Sequence, residues 1–106
     1  MCVRYTRHVA YQIETSDEFD AWLDGLRDSI AREAIATRIV RAESGLFGDH
    51  DTVGDRVSEL RIHVGKGYRA YYTIRGLKIV ILLCGGDKRS QKRDIRRAKE
   101  MAAALD

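Results

Sequence analysis

Read from its N-terminus, the chain alternates apolar and polar positions with a period that changes repeatedly, and each change marks an element. Val9 to Glu14 carries Val9, Tyr11 and Ile13 on one side, the period-two signature of a strand. Thr15-Ser16-Asp17-Glu18 has the spacing of a capping box, Thr15 serving the first free amides while Glu18 reaches back, so a helix is expected from Ser16. Phe19, Trp22, Leu23, Leu26 and Ile30 recur at helical spacing, which leaves Asp17, Asp20 and Asp24 for the solvent side. Gly25 and Arg27-Asp28-Ser29 interrupt, and Ile30 to Glu43 resumes the helical pattern through Ala31, Ala34, Ile35, Ile39 and Ala42, giving a helical hairpin. Ser44 to Asp55, rich in Gly and Asp, reads as an ordered loop.

The second half returns to period two. Ser58, Leu60, Ile62 and Val64 oppose Val57, Glu59, Arg61 and His63; after the turn Gly65-Lys66-Gly67, Tyr68, Ala70, Tyr72 and Ile74 oppose Arg69, Tyr71 and Thr73. Pairing Val64 with Tyr68 across that turn sets His63 opposite Arg69 and Arg61 opposite Tyr71. Arg75-Gly76 turns the chain into Leu77 to Cys84, an unbroken apolar run of the kind a central strand buried on both faces needs, with Gly85 and Gly86 ending it. Ser90 is placed to cap a last helix through Leu105, striped by Ile95, Ala98, Met101, Ala102 and Leu105. The order βααβββα predicts an α+β domain, a small antiparallel sheet with helices packed on one side.

Length confines these elements to a single domain, residues 1–106. Leu77 to Cys84 is far shorter than the ~20 residues that span a bilayer, and no basic segment precedes an apolar leader, so a cytoplasmic protein without a membrane partner is expected. Cys2 and Cys84 stand far apart without CxxC spacing or clustered His, which indicates neither a disulfide nor a zinc site; no metal or cofactor is expected.

Charge changes the picture most. The formal net charge of +3 hides a two-sided chain: residues 1–55 hold six Lys/Arg against eleven Asp/Glu, residues 56–106 thirteen against five. A cationic half this concentrated attracts nucleic acid, or an acidic protein imitating it. Metal-free cleavage of RNA by its own 2′-hydroxyl needs a proton acceptor, cations to stabilise the phosphorane and a proton for the departing 5′-oxygen. Arg69 offers a planar fork matched to two phosphate oxygens and is the candidate transition-state stabiliser. Arg61 and Lys88 are candidate catalytic cations beside it, and His63 is the candidate proton-exchanging group. Arg89, Lys92, Arg93 and Lys66 are candidate phosphate contacts, and Tyr71 can stack on a base or donate a hydrogen bond. Plainer readings stand beside these: His63 as a polar surface residue, Arg69 as a structural arginine stacked on Tyr71, Lys88 and Arg89 as decoration of a helix entry, and Lys92, Arg93, Arg96 and Arg97 as a generic phosphate-attracting face without a specific contact. Gly85-Gly86 lacks the rest of a P-loop.

Val57-Ser58-Glu59-Leu60-Arg61-Ile62, Gly67-Tyr68-Arg69-Ala70-Tyr71-Tyr72 and Leu82-Leu83-Cys84-Gly85-Gly86-Asp87-Lys88 together resemble a RelE/ParE superfamily toxin of a type II toxin-antitoxin system, closest to the HigB-like addiction-module killer proteins. The resemblance covers Tyr11 to Ala104. It implies a microbial-RNase-like βααβββα domain, a metal-independent mRNA endonuclease acting in the ribosomal A site, and neutralisation by a cognate antitoxin through which alone operator DNA would be bound. By position, Arg69 matches the family's principal catalytic arginine, and Arg61, Lys88 and Arg89 its phosphate-contacting positions; His63 matches no family fixture, and Ile95 stands where some members carry a tyrosine. A ParE-like toxin that poisons DNA gyrase without chemistry shares the fold and is the competing expectation.

Overall fold

The computed structural model describes residues 10–105. The order is β1 (Gln12–Thr15), α1 (Asp17–Asp24), α2 (Ser29–Glu43), β2 (His50–Gly54), β3 (Val57–Ile62), β4 (Tyr68–Arg75), β5 (Ile79–Asp87), a 3₁₀ turn (Lys88–Ser90) and α3 (Gln91–Ala104). One sheet runs β1-β5-β4-β3-β2, antiparallel except where β1 joins β5 in parallel. The α+β class stands, with β5 central as its apolar run requires. Val9, expected to begin the first strand, lies outside the described residues.

The layering differs from expectation. Phe19 of α1 and Ala31 and Ile35 of α2 pack on Leu60, Ile62, Ala70, Tyr72, Val80 and Leu82, whereas Ala98 and Ala102 of α3 pack on Val57, Tyr71, Leu83 and Cys84 from the opposite face. Helices therefore cover both faces. A register shift between Tyr71 and Tyr72 leaves Leu83 as the extra residue of β5, which lets Leu83 and Cys84, adjacent in sequence, both enter the α3 side. Burial, with the Asp94 and Glu18 charges, pushes the Cys84 thiol up to about 12.

Local chemistry explains the helix boundaries. Ser16, not Thr15, caps α1: its Oγ accepts from Phe19 N at 2.9 Å and donates to Leu83 O at 2.6 Å, fastening the helix to the sheet. Glu18, freed from a capping box, instead takes Arg97 of α3 at 2.7 Å. Asp28 caps α2 by accepting from Ala31 N. Ser90 makes no side-chain cap for α3; Asp87 one turn earlier receives Arg89 N at 2.8 Å and Ser90 N at 3.3 Å and starts the 3₁₀ turn that leads into it.

Part of the expected 44–55 loop is a strand. His50–Gly54 pairs antiparallel with β3, and Asp55 and Arg56, both at positive φ (54° and 63°), make the tight hairpin turn between them. The remainder is ordered by Arg38 of α2, whose guanidinium donates to Arg61 O at 2.5 Å and to Phe47 O and Asp49 O at 2.8 Å.

Nor do Gly85 and Gly86 end β5, which runs on to Asp87. They admit close packing from both faces. A Cβ on Gly85 would stand 2.3 Å from the six-membered ring of Trp22, and one on Gly86 would stand 1.8 Å from Asp94 Oδ2. Among the described residues no helix is long and apolar enough to cross a membrane.

These approaches set a stability test. Gly85→Ala forces Trp22 off the sheet and should cost about 1–3 kcal/mol, the usual range of overpacking, or more. Gly76→Ala, at φ +59° with no atom within 4 Å of the new methyl, should cost only the left-handed backbone term of roughly 1–2 kcal/mol. Urea midpoints of the two variants measure the difference, and only the Gly85 variant should also shift Trp22 fluorescence.

Candidate nucleic-acid interface

Strand register brings the basic residues together. In β3–β4 the partners are Ile62↔Tyr68, Arg61↔Arg69, Leu60↔Ala70 and Glu59↔Tyr71; in β4–β5 they include Arg69↔Gly86. The hairpin loop is thus longer than the expected turn, and the register moves by two residues. Arg61, not His63, sits opposite Arg69. Because the shift is even, the faces are kept: Glu59, Arg61 and Arg69 share the α3 side with Tyr71 and Val57.

Two guanidiniums directly opposite one another repel. Glu59 resolves the conflict. Its side chain is 6 % exposed, with Oε2 3.2 Å from Arg61 Nε and Oε1 3.7 Å from Arg69 Nη1, whose side chain is 13 % exposed. Arg61 is claimed further by β2, with Asp51 Oδ2 at 3.0 Å and Asp49 Oδ1 at 3.9 Å. Expected to grip phosphate, Arg61 is instead ringed by three carboxylates. Asp49 also binds His63 Nε2 at 2.5 Å, and this hydrogen bond foremost, helped by the Arg61 charge, holds the Asp49 carboxyl below its ordinary range. His63 is therefore an exposed residue tied to Asp49 just before β2, away from the Arg69 position where it was expected.

Tyr71, expected to meet a base, is fully buried. Its ring face is closed to stacking. Burial, then the Glu59 and Asp94 charges, drive its phenol well above the ordinary tyrosine value, and its hydroxyl has no hydrogen-bond partner among the described residues. Glu59 and Asp94 are the groups that sequence reasoning passed over. Asp94 looked like one acid in a basic helix, yet it lies over Gly86 and accepts a hydrogen bond from Ser90 Oγ.

The expected phosphate contacts collect around the start of α3. Lys88, Arg89, Lys92, Arg93 and Arg96 line an open groove of about 760 Å³. The Lys88 stem lies on Gly67, where a Cβ would come within 2.9 Å of its Cε, so Lys88 bridges the β3–β4 loop and the groove. Lys66 of the same loop reaches Asp87 Oδ2 at 3.8 Å. Through Gly86, the neighbour of Arg69 and one residue from the groove-lining Asp87, the groove adjoins the arginine row. Chemically this is a polyanion track beside a preorganised, carboxylate-held guanidinium. Among the described residues no group of three or more His, Cys, Asp or Glu is placed to hold a metal ion.

The fold and site define a small α+β domain of RelE-like architecture. A mutant of the E. coli toxin RelE in the free state superimposes with a TM-score of 0.68 at 17 % identity, over 87 % of this chain and 98 % of that one. Residues 18–104 match the family described as phage derived protein Gp49-like, and the chain belongs to that family, a RelE-like toxin family. An uncharacterized protein of Haemophilus influenzae is 47 % identical over 94 residues, which are 89 % of this chain and 95 % of the relative.

Removing the shared carboxylate tests the arginine row. Glu59→Ala leaves Arg69 buried beside Arg61 without compensation and should cost about 3 kcal/mol, the low end of the range for breaking a buried pair, because Arg61 keeps Asp51. Urea unfolding measures it. The Asp49 contribution carries the sign of a depressed carboxyl: it is fully present above the ordinary carboxylate range and is lost as pH falls through the lowered folded value. Stability of the parent should therefore drop more steeply than that of Asp49→Asn on acidification below about pH 4.

Proposed function

We propose that this protein is the toxin of a type II toxin-antitoxin module and acts as a metal-independent, ribosome-dependent mRNA endonuclease. The observation that carries the reading is the position of Arg69, at the end of a cross-strand arginine pair and beside the cationic groove of Lys88, Arg89, Lys92, Arg93 and Arg96. RelE-like architecture and membership of a RelE-like toxin family support it.

In this reading the groove takes the mRNA backbone and Arg69 faces the scissile phosphate. Attack by the 2′-oxygen on phosphorus, its proton passing to water or a ribosomal group, forms the bond to the 2′ position and breaks the bond to the 5′-oxygen, leaving a 2′,3′-cyclic phosphate. Charge on the phosphoryl oxygens grows in the transition state, and a guanidinium already oriented by Glu59 meets it without reorganisation. Lys88, on its loop-braced stem, is the second cation and the group assigned to protonate the departing oxygen. Glu59 has both partners inside the fold and an oxygen, Oε1, that is buried without a hydrogen bond, so it is a positioning residue. His63 is committed to Asp49. With no exposed base beside Arg69 among the described residues, orientation of the 2′-hydroxyl falls to the ribosome, and free RNA should be a poor substrate.

A cognate antitoxin bearing acidic side chains covers the cationic groove in this reading, and operator DNA is bound through the antitoxin alone. One observation favours the second reading, a ParE-like toxin that binds DNA gyrase: the carboxylates around Arg61 withdraw it from phosphate, whereas a protein-binding surface tolerates them.

Primer extension on mRNA from translating ribosomes separates the two. The parent should cut, Arg69→Ala should cut at least about 10²-fold less, and Lys88→Gln about tenfold less, as expected for one charge-assisted contact. Intact mRNA with blocked gyrase supercoiling would instead establish the second reading.

A further inference from the structure

On the other side of Gly86 lies a second cleft, of about 570 Å³, between the α1–α2 connection, the β3–β4 loop and the start of α3. Its size falls in the roughly 300–1,000 Å³ range of small-molecule sites, and its floor is aromatic. Trp22 is laid against the backbone of Gly85, and Tyr68 stands with its ring centroid 6.4 Å away and tilted by 60°. Polar groups converge above that floor. Asp28 uses Oδ1 to cap α2, whereas its Oδ2 makes no hydrogen bond to the described residues and faces Gly65, whose φ of +55° and missing Cβ keep the space open. Lys66 and Arg93 stand at the rim with exposed side chains.

We propose that this cleft takes one unstacked base of single-stranded RNA, with a preference for a base carrying an exocyclic amino group. The inference rests on the RNA-directed reading above and adds a base-reading site to it. Three features carry it. Arg93 lines both this cleft and the basic groove, so a strand whose phosphates follow the groove passes the cleft mouth. An aromatic floor suits a base splayed out of a single strand, which is how RNA sequence is usually read. A carboxylate oxygen only accepts hydrogen bonds; Asp28 Oδ2 therefore favours the amino edge of adenine, cytosine or guanine over uracil, which has no amino group and can donate only through its ring N3–H. The lining is of mixed charge, Asp28 and Asp87 against Arg27, Lys66 and Arg93, and the two carboxylates disfavour a phosphate within the cleft while leaving the cations to meet one outside.

Trp22 is the chain's single tryptophan, so its fluorescence reports on this cleft alone. The experiment titrates the full-length protein with labelled oligo(A), oligo(C) and oligo(U) carrying 2′-O-methyl groups to prevent cutting, reading label anisotropy for binding and Trp22 quenching for occupancy. Expected are salt-dependent binding of all three, quenching by oligo(A) or oligo(C), and about tenfold weaker affinity for oligo(U), the worth of one hydrogen bond to a charged group. Asp28→Asn keeps a capping side chain and so should fold, yet it should abolish the preference between bases. Binding without quenching, absence of binding, or a preference that survives in Asp28→Asn would each overturn the cleft. Arg69→Ala is the control that separates this from the nuclease reading. Quenching retained in Arg69→Ala shows that the cleft works apart from the cutting site; a parent protein that quenches but never cuts mRNA supports the cleft and defeats the nuclease, while a parent that cuts without quenching does the reverse.

Discussion

Much of this structure depends on one buried carboxylate. Hydrogen-bond register alone would place Arg61 and Arg69 side by side on adjacent strands, an arrangement that like-charge repulsion and desolvation both oppose. Glu59, on the same strand face and almost wholly enclosed, lies within ion-pair distance of both. Its own burial is tolerable only because two guanidiniums face it, so the three charges are mutually necessary. That necessity extends outward. Arg61, facing the sheet edge, draws Asp51 and Asp49 onto itself, and Asp49 in turn holds His63. An edge strand with little apolar content is thereby fixed by charge where side-chain packing would usually do it.

The same geometry sorts cations by task. Arg61 is consumed by structure and Arg69 is half-committed, its side chain partly buried but anchored from one side only. The mobile attraction for a polyanion comes from α3 and the turn before it. Most of that segment's basic side chains lie along the groove and in the solvent, where each neutralised phosphate adds to affinity and to its salt dependence. In the proposed reading, a guanidinium that is held and a groove that is merely charged would perform different parts of recognition: the first would fix one phosphate, the second any phosphate.

How far the chain's pattern foretold this follows from what each signal measures. Period-two and period-3.6 patterns report burial, and they located β3, β4, β5 and all three helices because those elements bury a face. β2 buries little: His50, Asp51 and Thr52 are exposed and Val53 alone packs partly on the core, so little distinguished it from a loop except its acids, whose partner Arg61 lies across the hairpin. The layering was missed for a related reason. Apolar residues on both sides of β5 say that it is covered twice, but not which helix covers which side, and only the bulge at Leu83 sends adjacent residues to α3. At the site, residue types were legible and their availability was not. Arginine reads as a phosphate ligand until its carboxylates are seen, and Tyr71 reads as a stacking platform until α3 is laid over it.

Gly85 and Gly86 show how sequence and site join. Neither has a positive φ, so backbone freedom does not explain them. Each is required by what lies above it, Trp22 on one face and Asp94 on the other, and side-chain volume at either position would lift α1 or α3 from the sheet. That thin point in β5 is where the arginine row, the basic groove and the aromatic cleft adjoin. A strand only as thick as its backbone brings surfaces on opposite faces close together, within reach of one extended strand of nucleic acid if the proposed function holds. The glycines therefore act through steric absence and not in the manner of a glycine-rich nucleotide loop.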